Sequence, residues 1–564
     1  MSARLTFGHD QRLLAHEDAL YTCNSLADDL PGLVVFPRDP EYTSQQNQYW
    51  ASNQADSRPN CRLVPRTSQD VSSLVSQLAS LGEEDDDVKF AVASGGHHTA
   101  EGASNLDDGI TLDLSGLDSI ARDLTADHAS IELGTGARWL DVYQYLEPRG
   151  LMVSGARVAS VGVGGYLLGG GISIFASQYG WSGDVVEAIE VHKRHSPFTL
   201  YLSPLSLWAR LTPERTAQLV LANGTILQSN ETHHAGLFAA LKGGGSNFGI
   251  ATKFRLKTFP AQQLHTALLA FSQEQVPVLL HELTTFARNA HVDPVTCVDL
   301  SIGFDGATSQ VVYVLMLTHL GPHPDETSLW RPFLEIPALS RSVQHDASLT
   351  EMAEMMEVNN PPGFRSVLLQ YPASPTLIGL ILLAHVSDRY DTTRRQHKLT
   401  FTVHNDAVLL HQLAELFSST MQNESLQVDG YFRSGMLMQP LTLPHMQYAR
   451  EHGRANFLGL DDEQDPLIES RWLSRSHDEI YTTTLVKLLG QCEALATSKA
   501  NPLLHPFRYI NYAAAGQDAF ALLRQQEGHG HGHKHQVLEE ARMLRRLYDP
   551  TGFFDRRLNS PFKI

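Results

Sequence analysis

Residues 155–180 read GARVASVGVGGYLLGGGISIFASQYG. Glycine tolerates positive φ and allows close backbone approach, at a cost in chain entropy that an ordinary helix or strand avoids. So many glycines in one non-repeating segment imply a backbone pressed against a partner, and a phosphate-bearing cofactor is the partner this density points to. Gly162, Gly164, Gly165, Gly169, Gly170 and Gly171 stand too close together for the G-x-G-x-x-G fingerprint of nicotinamide dinucleotide sites. That fingerprint follows a strand, opens a helix and has an acidic residue about 20 positions further on.

Upstream of this block, CRLVP (61–65) reads as a strand. Thr67 to Leu81 then spaces Val71, Leu74, Val75, Leu78 and Leu81 as a helix, and KFAVAS (89–94) reads as the next strand. This β-α-β pattern runs directly into Gly95, Gly96, His97 and His98. GITLDLSGL (109–117) and ASIELGTGA (129–137) follow as strands, and WLDVYQYLEPRG (139–150) as a helix. Downstream, VVEAIE (185–190) and LVLANGTILQ (219–228) are strand-like, the second with an Asn-Gly turn at 223–224. KGGGSNFGIATKFRLKTFP (242–260) brings a second glycine cluster containing Asn247 and Gly249. From 261 to about 505 the clusters stop, and strands such as SQVVYVLML alternate with amphipathic helices such as DAVLLHQLAELFSSTM. The tail from 506 changes again: RYINYAAAGQDA reads as strand-like, and VLEEARMLRRLYDPTGFF as a helix ended by Asp549, Pro550 and Gly552. The expected organisation is an N-terminal segment (1–56), a cofactor lobe (57–260), a second domain (261–505) and a segment returning to the first lobe (506–564).

The chain has 564 residues, beyond the size at which one core keeps growing, so two lobes are expected. Its 62 acidic against 43 basic residues leave a formal charge of −19, which opposes nucleic-acid binding and favours small-molecule chemistry. No apolar run is long enough to span a bilayer. Cys23, Cys61, Cys297 and Cys492 form no C-x-x-C pair, so no zinc site is expected, while one disulfide stays open. The acidic run 83–87 reads as a solvated loop, and HGHGHKH (529–535) as a surface loop rather than a metal site. The first residues, MSARLTFGHDQRLLAHEDALYTC, show no apolar signal core. The chain as written is therefore expected to be cytoplasmic, or secreted if its N-terminus is incomplete.

The strand into SGGHH, the GVGGYLLGGG block, KGGGSNFGI, RYINY and LRRLYDPTGFF, in this order, resemble the FAD-linked oxidoreductases of the vanillyl-alcohol oxidase type. Within that type they are similar to the fungal berberine bridge enzyme-like group. The resemblance covers roughly residues 20–260 and 500–564. It implies an α+β protein: a two-lobed PCMH-type FAD-binding domain plus a substrate domain whose antiparallel sheet is covered by helices. It also implies FAD bound by Ser94, Gly95, Gly96, His97, His98, the glycines of the central block, Asn247, Gly249 and Asn511. The loop at Ser94–Gly96 would offer its backbone N–H groups to the pyrophosphate.

In the family the histidine after Gly-Gly is joined to the flavin 8α-methyl carbon, which maps to His97, with His98 the adjacent competitor. A cysteinyl link found in many relatives falls on Val158, so a single histidyl link is the expectation. Val161 falls where relatives control oxygen access, and its small size resembles oxidases. Tyr166 stands where some relatives have a histidine. The resemblance makes Tyr512 the candidate base, with Tyr509 and Asn511 beside it. A tyrosine with its reference pKa of about 10 needs a nearby cation for that task, such as Arg508 or a lysine.

The implied reaction is hydride transfer from a small metabolite to flavin N5 with oxygen as final acceptor, in specialised biosynthesis, by a monomer or weak oligomer without bound metal. The alternative is a non-catalytic flavoprotein or binding protein that keeps the scaffold. The chain departs from its relatives at 191–218, VHKRHSPFTLYLSPLSLWARLTPERTAQ, where they pass almost directly between strands. This insert reads as a surface loop or as a retained intron translated in frame. The intron is favoured because removal restores EAIELVLANG, a valine codon begins with GT, glutamine can be CAG, and long structureless insertions are uncommon.

Overall fold

The computed structural model describes residues 17–81, 88–123, 130–189, 219–305, 308–325, 327–358, 396–423, 433–452, 456–460, 467–475, 478–498, 502–527 and 536–564. The acidic run 83–87, the insert 191–218 and the histidine-rich stretch 529–535 lie outside them.

The first layer is a four-stranded sheet ordered Val34–Val35, Cys61–Leu63, Ile110–Asp113, Phe90–Ala93, parallel except for its first strand. The helix Ser68–Ser80 begins at a reciprocal cap: Thr67 accepts from the Asp70 N–H at 3.1 Å, and the Asp70 carboxylate accepts from the Thr67 N–H at 2.9 Å. It buries Val71, Leu74, Val75 and Leu78, a contribution of about 1.5–3 kcal/mol for each fully buried side chain. The two strands flanking this helix are not neighbours, as a simple β-α-β unit suggests. Ile110–Asp113, buried along its whole length, lies between them and pairs with both, as suits a parallel strand covered on both faces. Cys23, in the helix over 17–29, is bonded to Cys61, with Cα atoms 6.0 Å apart. Closing a loop with this separation of 38 residues stabilises the fold by about 4 kcal/mol. Cys297 and Cys492 are free.

A second, antiparallel sheet is ordered Ser229–Asn230, Val186–Ile189, Lys253–Lys257, Ser130–Gly134, Ile120–Asp123. The Asn-Gly turn closes a hairpin between Leu219–Val220 and Ile226–Leu227, with Gly224 at φ +73°. Trp139, Val142, Tyr143 and Leu146, on one face of the helix Trp139–Leu146, join the core of this lobe.

The middle of the chain builds an eight-stranded antiparallel sheet, ordered Ser340–Ala347, Leu264–Phe271, Gln310–Leu320, Thr296–Asp305, Arg433–Leu441, Leu467–Arg475, Gln396–His404, Leu504–His505. Its alternation divides the molecule. Leu269, Leu300, Leu315 and Phe401 share a core with the helices Val276–Asn289, Ala407–Met421 and Asp478–Thr497. The intervening Leu268, Asp299, Ser301, Met316 and Lys398 face the cofactor lobe and line its cavity. An α+β architecture with a helix-covered antiparallel sheet is what the structure displays.

One expected strand is absent. Residues 508–515 run as turns, with Tyr512 N–H and Ala513 N–H donating to Tyr509 O at 2.9 and 3.0 Å. Side chains anchor this segment in place of a ladder: the Tyr509 hydroxyl accepts from the Ile172 N–H at 3.1 Å, and Asn511 Nδ2 donates to Tyr166 O at 3.1 Å. The polar-aromatic alternation therefore reflects contacts with the glycine-rich block. The helix Gln536–Tyr548 stops just before Asp549. Asp549 then accepts from Phe553 N–H at 2.7 Å and Phe554 N–H at 2.8 Å, starting the short helix Phe553–Arg557.

Candidate active site

Between the cofactor lobe and the large sheet lies a cavity of about 340 Å³. The predicted residues Ser94, Gly95, Gly96, His97, His98, Gly162, Gly164, Gly165, Gly169, Gly249, Tyr509, Asn511 and Tyr512 all line it. Gly170, Gly171 and Asn247 are not among its lining residues. Gly170 and Gly171 have φ +98° and +79° and make the turn after the helix Val163–Leu168, so they shape the block from behind. Asn247 ties the chain's last residues down: Nδ2 donates to Phe562 O at 3.2 Å, and Oδ1 accepts from the Ile564 N–H at 3.3 Å.

The glycine density has more than one cause. A Cβ on Gly162 would stand 2.3 Å from Gly95 N, so the two loops press on each other. A Cβ on Gly169 would meet the Asn511 side chain at 2.1 Å. At Gly165 the added Cβ would meet no protein atom within 4 Å, although this residue lines the cavity. The backbone N–H groups of Gly95 and Gly96 make no hydrogen bond among the described residues. Open space at Gly165 beside unpaired amides is a cradle suited to a phosphate-bearing cofactor, so the residues fit FAD.

The two histidines differ sharply. His98 is engaged at both nitrogens: Nε2–H donates to Ile510 O at 3.0 Å and Nδ1 accepts from the Ala100 N–H at 3.0 Å. Burial is the main cause holding it down to about 4. His97 stacks on Trp50 with ring centroids 5.2 Å apart. Its Nε2 lies 2.7 Å from Ser160 Oγ, and Nδ1 has no hydrogen-bond partner among the described residues. Burial, then the Lys398 and Arg138 cations, hold its imidazole well below the usual histidine range, so it is neutral at neutral pH.

Tyr512 lines the same cavity. Arg157 Nη2 donates to its hydroxyl oxygen at 3.2 Å, and Lys398 Nζ stands 5.9 Å from its ring centre. The cation expected from Arg508 comes from Arg157, because Arg508 is held 2.6 Å from Glu493 and bonds the His505 carbonyl. Arg157 is 7% exposed and is paired with the buried Asp299, whose other oxygen accepts from Gln439 Nε2 at 2.9 Å. Burial opposes the guanidinium charge, but Asp299 more than offsets this. Tyr509 is buried, and its hydroxyl accepts from Ile172 N–H and from Asn511 Nδ2 at 3.0 Å. Tyr166 Oη lies 2.9 Å from Ser182 Oγ.

Trp50, Arg157, Asp299, Lys398 and Glu357 are the residues that sequence reasoning missed. Asp299 and Lys398 stand at strand positions alternating with core residues, which is the one signal that could have found them.

Fold and site together fit an FAD-linked oxidoreductase whose architecture is that of the berberine bridge enzyme-like oxidases. The expectation of a non-catalytic binding protein is set aside with it. A family model for the FAD binding domain matches residues 59–195. Relatives along nearly the whole chain include the FAD-dependent monooxygenase tpcD of Cochliobolus heterostrophus, 28% identical over 97% of this chain and 94% of that one. Another is the FAD-dependent monooxygenase drtC of Aspergillus calidoustus, 27% identical over 96% and 90%. The same fold occurs in xylooligosaccharide oxidase from Myceliophthora thermophila, with a TM-score of 0.66 at 19% identity, covering 98% of this chain and 100% of that one. Glucooligosaccharide oxidase from Acremonium strictum, which carries 6-S-cysteinyl, 8α-N1-histidyl FAD, gives 0.65 at 17% identity over 96% and 98%. Among the described residues no helix is long and apolar enough to cross a membrane, and no acidic, histidine or cysteine group is arranged to hold a metal.

Proposed function

We propose that the protein is an oxygen-using oxidase of an apolar, ring-containing metabolite bearing a hydroxyl or amine. The observation carrying this reading is the composition of the substrate wall. Leu268, Val314, Met316, Met356 and Leu437 line the cavity together with a few polar groups, Ser301, Lys398 and the linked Tyr512–Arg157–Asp299. Apolar walls with a few convergent polar groups suit a flat hydrophobic ring better than a hydrated sugar. Bound FAD supplies a two-electron acceptor that takes hydride at N5 and is reoxidised by oxygen.

The chain's own residues do the rest. The Ser94–His98 and Gly162–Gly165 loops hold the cofactor, with His97 as its attachment point: the free Nδ1 and neutral ring of His97 support this, and the saturated His98 does not compete. Val158 offers no thiol for a second link. Arg157 holds the phenolate form of Tyr512, which takes the substrate proton and ends as the neutral phenol. Tyr509 and Asn511 fix the turn that presents Tyr512. Val161 lines the cavity and leaves room for oxygen.

The test is anaerobic bleaching of the yellow protein by a panel of hydroxylated aromatic and alicyclic compounds beside xylo- and gluco-oligosaccharides. Ring compounds should bleach it, and air should then return one hydrogen peroxide per turnover. Bleaching by oligosaccharides alone overturns the substrate class. Incorporation of labelled oxygen into product, as the relatives' monooxygenase names would have it, overturns the oxidase reading.

A further inference from the structure

Behind His97 stands a carboxylate that the reaction does not use. Glu357, near the end of the helix Leu349–Val358, accepts from the Ser160 hydroxyl at 2.8 and 2.7 Å through its two oxygens, and from the Ser160 N–H at 3.0 Å. Because the Ser160 hydrogen goes to Glu357, Ser160 Oγ is an acceptor toward His97 Nε2 at 2.7 Å. The tautomer follows: Nε2 carries the hydrogen and Nδ1 carries the lone pair. Arg138 fixes the same serine from its carbonyl side and also donates to Gly95 O at 3.2 Å.

We propose that Glu357, acting through Ser160, sets His97 up for attachment to FAD and accepts the proton that attachment releases. This rests on the reading of His97 as the attachment residue. His97 Nδ1 forms a bond to the 8α-methyl carbon, which gives up one hydrogen as a proton. His97 loses its Nε2 hydrogen to Ser160, whose own proton moves to Glu357, so the alkylated imidazole ends neutral. The two protons and two electrons released end on molecular oxygen as hydrogen peroxide, which balances the step. Without the carboxylate, alkylation would leave an imidazolium buried near Lys398 and Arg138, two cations that already disfavour charge on this ring. Glu357 belongs to a helix that follows the large sheet's strand Ser340–Ala347, so cofactor attachment depends on docking of the substrate side.

Full-length protein purified free of flavin from riboflavin-starved cells is given FAD in air, and acid-precipitable flavin is followed with time. Mass spectrometry then maps the modified peptide. Wild type should accumulate flavin on the His97 peptide, and whatever flavin His98→Ala attaches should map to the same peptide. Ser160→Ala and Glu357→Gln should bind the same total flavin but attach it about tenfold or more slowly. Ser160→Thr, which keeps the hydroxyl, should attach at close to the wild-type rate. Wild-type rates in both Ser160→Ala and Glu357→Gln, with flavin on His97, overturn the proposal and leave the attachment reading standing. Complete release of flavin from wild type, or retention by His97→Ala, overturns both. Should Ser160→Ala fail to fold, the isosteric Glu357→Gln carries the comparison.

Discussion

Tyr512 and Arg157 separate packing from chemistry at a single oxygen atom. Tyr512→Phe keeps the ring stacked edge-on to Tyr509 at 4.7 Å and removes only the atom that accepts from Arg157. Losing one such hydrogen bond changes stability by about 1 kcal/mol. Loss of a general base costs about a hundredfold to ten-thousandfold in rate. Anaerobic stopped-flow reduction of the flavin should therefore slow by that range in Tyr512→Phe while substrate binding is nearly kept. Equal rates and pH profiles in both proteins would return Tyr512 to a packing role. Arg157 is a poorer probe, because removing one member of a buried ion pair strands Asp299 and costs about 3–5 kcal/mol.

At the scale of elements, the glycine-rich block makes two kinds of substitution distinguishable. Gly162→Ala drives a Cβ into the backbone of Gly95, an overpacking expected to cost about 1–3 kcal/mol and to lower the melting temperature. Gly165→Ala, inside the helix Val163–Leu168 and facing open cavity, should leave the melting temperature of the flavin-free protein unchanged or higher while weakening FAD binding. Flavin titration of the two apoproteins checks both, and equal FAD affinity in Gly165→Ala and wild type would remove Gly165 from the cofactor cradle. Much of this was legible beforehand, because the helical spacing of Val71, Leu74, Val75 and Leu78, the Asn-Gly hairpin and the glycine clusters are local signals. The Tyr509–Tyr512 turn was not, since its conformation is set by Ile172 and Tyr166, more than 300 positions away. Nor were Asp299 and Lys398: alternation placed them opposite a core, but only the assembled molecule shows that their face is covered too.

For the molecule as a whole, buried neutral histidines set the acid limit. Burial holds His445 and His505 at about 3 in the fold, against the ordinary 6.5. Both proteins, folded and unfolded, carry them neutral above pH 6.5, so their contribution is complete there. As pH falls below 6.5 the unfolded chain takes up protons that the fold refuses, and each such histidine removes about 1.4 kcal/mol per pH unit until about pH 3. Urea unfolding at pH 7 and pH 5 should therefore show a smaller loss in His445→Phe, which retains a ring against Trp181, than in wild type. An unchanged loss would take His445 out of the account. The placement of Trp50 and Phe562 on the same cavity has a different kind of consequence, one of timing. A ribosome working at about 5–20 residues per second needs on the order of half a minute to a minute and a half to pass from one to the other. For most of that interval the glycine-rich loops at 94–98 and 162–171 are already made, yet the pocket still lacks its closing wall. Completion of the flavin pocket thus waits for the segment that carries Phe562 to leave the ribosome.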